Sequence, residues 1–358
     1  MPNLFDPLQL GELALANRIV MAPLTRSRSK GLVPGEMAVD YYRQRATAGL
    51  IISEGAQVCA EGQGYLDTPG IHTPEQIKAW RRVTDAVHAE GGKIAVQLWH
   101  VGRISHTSFQ PGGAAPVSST AISAGGKTYT AEGFVPVSAP RALSLAEIPG
   151  VIRAFVRAAE CAMEAGFDAV EVHGANGYLL DQFMRDSIND RSDDYGGSIA
   201  HRARLTLEVM SGIATAIGSG RTGLRLSPVT PVNGAGQDSD PQALFNHIAQ
   251  QLAPLKLAFV HVIEGQTGGA RDIAPFDYAA MRQHLGGASA WMVNNGYTRE
   301  MALKAVAEGR ADLVAFGRDF IANPDLVRRL RLNAQLNPLD RATLYGGDAK
   351  GYIDYPTL

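Results

Sequence analysis

A single (β/α)8 barrel, the TIM-barrel class, is the fold that this 358-residue sequence predicts, and three observations carry it. Eight short apolar runs recur along the chain, each trailed by a longer segment with helical periodicity. The runs are largely unbroken rather than alternating, as in parallel strands that are buried on both faces. The first run continues as PLTRSRSKGLV, with no glycine-rich phosphate fingerprint, and no G-x-x-x-x-G-K-[ST] occurs, which disfavours a doubly wound nucleotide fold. In a barrel, chemistry belongs at the C-terminal ends of the strands.

Taken in order, the opening LQLGELAL, with Gly11-Glu12 at its centre, reads as a hairpin that plugs the barrel bottom. The strands are RIVMAP (18–23), GLIISE (49–54), KIAVQLW (93–99), FDAVEVH (167–173), TGLRLS (222–227), LAFVHVI (257–263), SAWMVN (289–294) and ADLVAFG (311–317). Helix starts are marked by Thr73-Pro74-Glu75-Gln76, by Ser144 with Glu147 as a capping box, by Thr298 before Arg299-Glu300, and by Asn323-Pro324-Asp325. A Gly/Ser/Pro-rich insert over about residues 106–143, after the third strand, is too long for a plain loop and is expected to form a lid or rim over the site. No linker divides the chain, so one domain is expected over residues 1–358.

The composition is 45% hydrophobic and 19% charged with net charge −2, which gives no electrostatic footprint for nucleic acid or an anionic membrane. No apolar run approaches the roughly 20 residues of a membrane span, and MPNLFDPLQL lacks the order of a signal peptide. Cys59 and Cys161 sit in no metal- or redox-type motif and read as two thiols in a reducing cytoplasm.

The strand ends collect polar groups: Pro23 and Thr25; Glu54 and Gly55; Gln97, Trp99 and His100; His173, Asn176 and Tyr178; Arg225; Asn294, Asn295 and Gly296; Gly317 and Arg318. Arg225 lies inside the apolar TGLRLSP and Gln97 inside IAVQLW, so each needs a partner with acceptors or an internal ion pair. Either one alone could belong to a polar barrel layer, and His173 or Trp99 alone could be core. Together they point at one mouth. NNGYT and FGRDF, after strands seven and eight, suit a phosphate grip, with Gly296 and Gly317 for close approach and Arg318 for charge. A planar, phosphorylated cofactor with several acceptors would satisfy all of them. No strand-end Lys supports Schiff-base chemistry, His100 and His173 lack a carboxylate cluster to complete a metal shell, and Glu171 falls inside its strand rather than opposite Glu54 as a glycosidase pair.

MAPLTR (21–26), IISEG (51–55), QLWHVGRISH (97–106), EVHGANGYLLDQF (171–183), RSDDYGGS (191–198), FGRDFIANPDL (316–326) and YGGDAKGYIDYP (345–356) resemble the Old Yellow Enzyme family, most closely bacterial members such as N-ethylmaleimide reductase and pentaerythritol tetranitrate reductase. The resemblance spans essentially the whole chain. It implies a barrel with non-covalent FMN, reduced by NADPH or NADH and reoxidised, in ping-pong fashion, by activated alkenes of unsaturated carbonyls, maleimides or nitroalkenes, or by nitrate esters. Thr25 would bond flavin O4, Gln97 the pyrimidine edge, and Arg225 the N1/O2 side where charge accumulates. Pro23 and Gly55 would line the ring, while Asn295, Gly296, Gly317 and Arg318 would hold the phosphate. His173 and Asn176 would grip a substrate oxygen, Tyr178 would deliver a proton, and Tyr65, Trp99 and Tyr345 would form an aromatic rim.

Three departures from the family pattern stand out. SEGA replaces the usual Ser-Glu-Ala-Thr, so that Gly55 would leave a smaller wall beside the flavin. NNGYT offers Asn295 as a further side-chain contact to the phosphate, and 228–240 aligns with no secure motif. Partners are expected to be small electrophiles, with the protein a monomer or homodimer; an FMN barrel dehydrogenase of another substrate class is the alternative.

Overall fold

The computed structural model describes residues 1–358, and all eight expected strands close into one parallel barrel. They are β1 (Ile19–Met21), β2 (Leu50–Gln57), β3 (Ile94–Trp99), β4 (Ala169–Gly174), β5 (Thr222–Leu226), β6 (Phe259–Ile263), β7 (Ala290–Asn294) and β8 (Leu313–Phe316). Each pairs with the next, and β8 pairs with β1. At least one helix follows every strand. The unbroken apolar runs now have their reason. Val20, Ile52, Ala169, Phe259, Met292 and Leu313 point inwards to one core cluster. Their neighbours Ile19, Ile51, Val170, Val260, Val293 and Val314 join the larger core under the helices.

The opening hairpin pairs Leu8–Leu10 with Leu13–Leu15. Leu10, Leu13 and Leu15 complete the inner cluster from below. At its turn, Gly11 has φ +53°, and a Cβ there would lie 2.3 Å from the Gly220 carbonyl oxygen, in the loop leading into β5. The hairpin therefore seals the end opposite the expected site.

The 106–143 insert holds a hairpin, Lys127–Thr130 with Gly133–Pro136, and a parallel bridge between Val117–Ser118 and Arg141–Ala142. The Leu66 N–H donates to the Tyr129 carbonyl at 3.0 Å, fastening this rim to the loop after β2. No helix is long and apolar enough to cross a membrane.

The helix starts follow the sequence with one exception. Thr73 and Gln76 make a full capping box, and Thr298 accepts from the Met301 N–H at 3.3 Å. The Ser144–Glu147 box is not formed around the helix end. Glu147 Oε2 accepts from both the N–H and the hydroxyl of Ser144, at 2.8 and 2.7 Å, and from Arg141 at 3.0 Å. Pro149, with no N–H to offer, sits in the first turn, and the helix begins only at Ile148. Arg141 thus recruits the carboxylate, and the serine hydroxyl becomes its donor instead of a cap.

Three buried histidines set the acid response of this fold. Burial lowers the pKa of His100 to about 4. It lowers His261, and it lowers His173 well below the ordinary value, with the Arg225 charge adding to the effect on His173. Such a group takes up its proton only on unfolding, so stability is lost as pH falls below the unfolded value of about 6.5. Glu54 acts in the opposite sense. Burial raises it from 4.5 to about 7, so between those values the folded state holds a proton that the unfolded chain has released. The histidines outnumber it, and burial lowers His72 in the same sense. Urea unfolding at pH 7.5 and 5.5 should show stability falling on acidification, by about 1 kcal/mol per pH unit. A flat or rising stability over that range would contradict the assignment.

Candidate active site

The C-terminal ends of the strands surround a cavity of about 810 Å³. It is lined at one end by Pro23, Thr25, Gln97 and Arg225, at its mouth by Trp99, His173, Asn176, Tyr178 and Tyr345, and at the far end by Asn295, Gly296, Gly317 and Arg318. Tyr65 lines an adjoining recess of about 450 Å³ that shares Thr25, Tyr178 and Tyr345 with the first. Of the strand-end residues picked out from sequence, Glu54, His100 and Gly55 line neither, and for Gly55 the reason is steric. A Cβ on it would meet the Trp99 ring at 2.5 Å, so its missing side chain makes room for that indole rather than thinning a wall of the cavity.

Below the cavity, the two polar side chains that interrupt apolar strands find partners inside the barrel. Gln97 Nε2 donates to Glu171 Oε1 at 2.8 Å, and Glu171 Oε2 pairs with His261 Nδ1 at 2.6 Å. Arg225 donates to Asn294 Oδ1 at 2.9 Å, while its Nε is buried without a partner. Each thus keeps capacity for a further ligand: Gln97 Oε1 has no protein donor, and Arg225 keeps an unused N–H.

The loop after β4 carries the mouth. Asn176 has φ +60° and Gly177 φ +72°, a left-handed pair that turns the chain sharply from strand to helix. The turn is held on every side. The Asn176 N–H donates to Ser227 Oγ at 2.8 Å, Asn233 Nδ2 donates to the Asn176 carbonyl at 2.9 Å, and the Gly177 N–H donates to Asp181 Oδ2 at 2.7 Å. Thr267 Oγ1 donates to Asn176 Oδ1 at 2.6 Å, which leaves Nδ2 as the group Asn176 offers to a ligand. Thr267 and Asn233 give no sequence signal of their own, because they lie in 264–277 and 228–240, irregular segments whose one mark, Thr or Asn before a Gly, is shared with most loops.

His173, Trp99 and Tyr178 pack as a cluster. The Tyr178 ring stands edge-on to Trp99 at 4.9 Å and to His173 at 5.1 Å. The Tyr65 and Tyr178 hydroxyls lie 3.1 Å apart. Burial raises the Tyr178 pKa above the usual phenol value and keeps the hydroxyl protonated at neutral pH. His173 Nδ1 is buried and unpaired, leaving Nε2 as the accessible nitrogen of a neutral ring.

At the far end, Asn295 (φ +114°) does not reach outward with its amide. Its Nδ2 donates to the carbonyls of Glu264 at 2.6 Å and Gln266 at 3.0 Å, tying down the loop that carries Thr267, so the expected side-chain contact to a phosphate is replaced by a structural one. A Cβ on Gly296 would meet nothing within 4 Å, which leaves its backbone open to a ligand. Arg318 is exposed and forms no ion pair with the protein. An acceptor-rich planar ring over Gln97 and Arg225, with a phosphate at Gly296 and Arg318, fits this donor set, so the residues present suit FMN. No group of three or more His, Cys, Asp or Glu is arranged to hold a metal ion.

Comparison with known proteins agrees with this geometry. The profile of the NADH:flavin oxidoreductase / NADH oxidase family matches residues 3–337. The chain is 47% identical over 366 residues to 12-oxophytodienoate reductase 1 of Oryza sativa subsp. japonica, covering 99% of this chain and 93% of that protein. It is 44% identical to 12-oxophytodienoate reductase 2 of Arabidopsis thaliana, with 99% and 96% covered. Among solved structures, morphinone reductase in complex with tetrahydroNAD superposes with a TM-score of 0.94 at 45% identity, covering 100% of this chain and 98% of that one. The old yellow enzyme homologue from Zymomonas mobilis gives 0.93 at 41% identity, with both chains fully covered. The chain belongs to the NADH:flavin oxidoreductase / NADH oxidase family, and is an FMN-dependent oxidoreductase of the Old Yellow Enzyme type.

Proposed function

We propose that the protein is an ene-reductase: it takes reducing equivalents from NADPH or NADH and delivers them to the activated C=C bond of unsaturated carbonyls, maleimides or nitroalkenes, and to nitrate esters, by ping-pong turnover. The observation that carries this reading is the convergence of three neutral donors, His173, Asn176 and Tyr178, on the cavity that Gln97 and Arg225 also line. Bound FMN would accept hydride from the nicotinamide and pass it to the alkene. Thr25, Pro23, Gln97 and Arg225 would seat its ring, and the backbone at Asn295, Gly296 and Gly317, with the Arg318 guanidinium, its phosphate.

The chain's own groups then divide the work. His173 Nε2 and Asn176 Nδ2 hold the carbonyl or nitro oxygen, and their hydrogen bonds strengthen as negative charge moves onto it. One preorganised donor of this kind contributes about 3–4 kcal/mol in comparable oxyanion sites. Tyr178, protonated and hydrogen-bonded to Tyr65, gives its proton to the α-carbon. Trp99 and Tyr345 flank the mouth with aromatic surface. Small electrophiles are the partners this site suits, in a cytoplasmic protein that acts as a monomer or homodimer.

The direct test is anaerobic: the purified protein should bind FMN, bleach with NADPH or NADH, and recover its colour with 2-cyclohexenone. Absence of FMN uptake, or a flavin that an amine bleaches and an enone fails to reoxidise, would reject the reading. Tyr178→Phe should slow enone reduction by about 10²-fold or more, with flavin reduction within about twofold of the parent. Equal losses in both half-reactions would remove Tyr178 from the proton-donor role. Thr267→Val should weaken phenol binding by about tenfold, the worth of one well-placed hydrogen bond, while Thr267→Ser keeps it. Phenol titrations indifferent to both changes would show that Asn176 holds its orientation without Thr267.

A further inference from the structure

Glu171 is a buried acid that neither the oxygen grip nor the proton delivery uses. It sits inside the barrel at 0% exposure, opposite Gln97 in the β3–β4 register. Both of its oxygens are engaged, one by Gln97 Nε2 at 2.8 Å and the other by His261 Nδ1 at 2.6 Å. No guanidinium or ammonium touches it. Arg225, the fixed cation of the same interior, has a neutral partner, Asn294 Oδ1, and no carboxylate within ion-pair distance. The two charges are therefore held apart, each bonded through neutral groups. Burying a carboxylate this way is costly, and a neutral amide at 171 could match both partners only with His261 in its other tautomer.

Two consequences follow for whatever lies on Gln97 and Arg225. A primary amide fits its pocket in two orientations, but a carboxylate that only accepts fixes one of them. Gln97 must turn its NH2 down to Glu171, which presents Oε1 upwards as an acceptor for a ring N–H. The carboxylate charge also lies in the same low-dielectric interior as Arg225 and opposes its field. Burial keeps His261 neutral, so it does not cancel that charge.

We propose that Glu171 is a positioning residue for the flavin: its carboxylate fixes the Gln97 amide against the pyrimidine edge and offsets the Arg225 charge, holding the reduction potential of the bound cofactor below the value Arg225 alone would set. This rests on the reading that FMN occupies the cavity. Charge and position separate in two substitutions. Glu171→Gln keeps an acceptor for Gln97 and removes the charge. FMN affinity of the apo-protein should stay within about threefold, while the reduction equilibrium shifts about tenfold towards the reduced form, about 30 mV upwards for a two-electron couple. Glu171→Asp keeps the charge and withdraws it from Gln97. FMN should bind about tenfold more weakly, with the potential displaced less than in Glu171→Gln.

The measurements are fluorescence titration of apo-protein with FMN, midpoint potential by equilibration with a reference dye, and thermal unfolding. An unmoved or lowered potential in Glu171→Gln overturns the charge role, and wild-type FMN affinity in Glu171→Asp overturns the positioning role. A fall in melting temperature alone, or failure of both variants to fold, assigns Glu171 to the scaffold and overturns the proposal. Wild-type apo-protein that binds no FMN refutes the functional reading itself, a result distinct from the others.

Discussion

The mouth of this barrel hangs on one buried ion pair, Asp181 with Arg185, 2.8 Å apart, both side chains at 0% exposure. Asp181 reaches back to the Gly177 N–H and so closes the left-handed turn that carries Asn176. Arg185 reaches sideways to the carbonyls of Ser227 at 2.6 Å and Gly236 at 3.0 Å, beyond the end of β5. Two strand ends are thereby welded through a single i,i+4 pair on one short helix. Breaking such a pair leaves an uncompensated buried charge, at about 3–5 kcal/mol. Gln182, next in the helix, does the same towards β3: it donates to the Val101 and Gly177 carbonyls and accepts from Ser118. The donors over the cavity are rigid because the helix behind them is hydrogen-bonded to three neighbouring segments.

The opposite wall is built on other chemistry. Arg26 and Arg28 follow β1 and face the C-terminal segment, where they take carbonyl oxygens in place of carboxylates: Leu344 at 3.0 Å and Gly351 at 2.7 Å for Arg26, Thr343 at 2.9 Å for Arg28. The Tyr352 ring stacks on Tyr41 at 4.2 Å and receives both guanidinium groups on its faces. This clamp brings Tyr345 to the rim beside Thr25. A residue far along the sequence reaches the site because cations near its start bind the backbone near its end.

Much of this was legible in the sequence, and the reason is local. Strand and helix positions follow from apolar runs and capping residues, which are short-range signals. His173, Asn176, Tyr178, Gln97 and Arg225 announced themselves because polar groups at strand ends or inside strands are physically conspicuous. What escaped depends on contacts between distant segments. Thr267 and Asn233 matter because they meet Asn176 across a gap of 91 and 57 residues. Gly55 and Asn295 were read as facing the cavity, but packing against Trp99 explains the first and the carbonyls of the 264–266 loop absorb the side chain of the second. The Ser144 cap failed for the same reason: Arg141 competes for Glu147.

Charge is distributed across the cavity with a clear asymmetry. Beneath it lie a permanent cation, Arg225, and a carboxylate, Glu171. Above it the donors are neutral: burial and the nearby Arg225 charge keep His173 unprotonated, and burial keeps Tyr178 from ionising. Neutral donors bind a carbonyl weakly and the developing oxyanion well. Arg225 thus has two effects with one charge: it would favour negative charge on a ring seated against it, and it suppresses protonation of His173. The polarity of the pocket follows from placing the cation on β5, one strand from His173 in the barrel register.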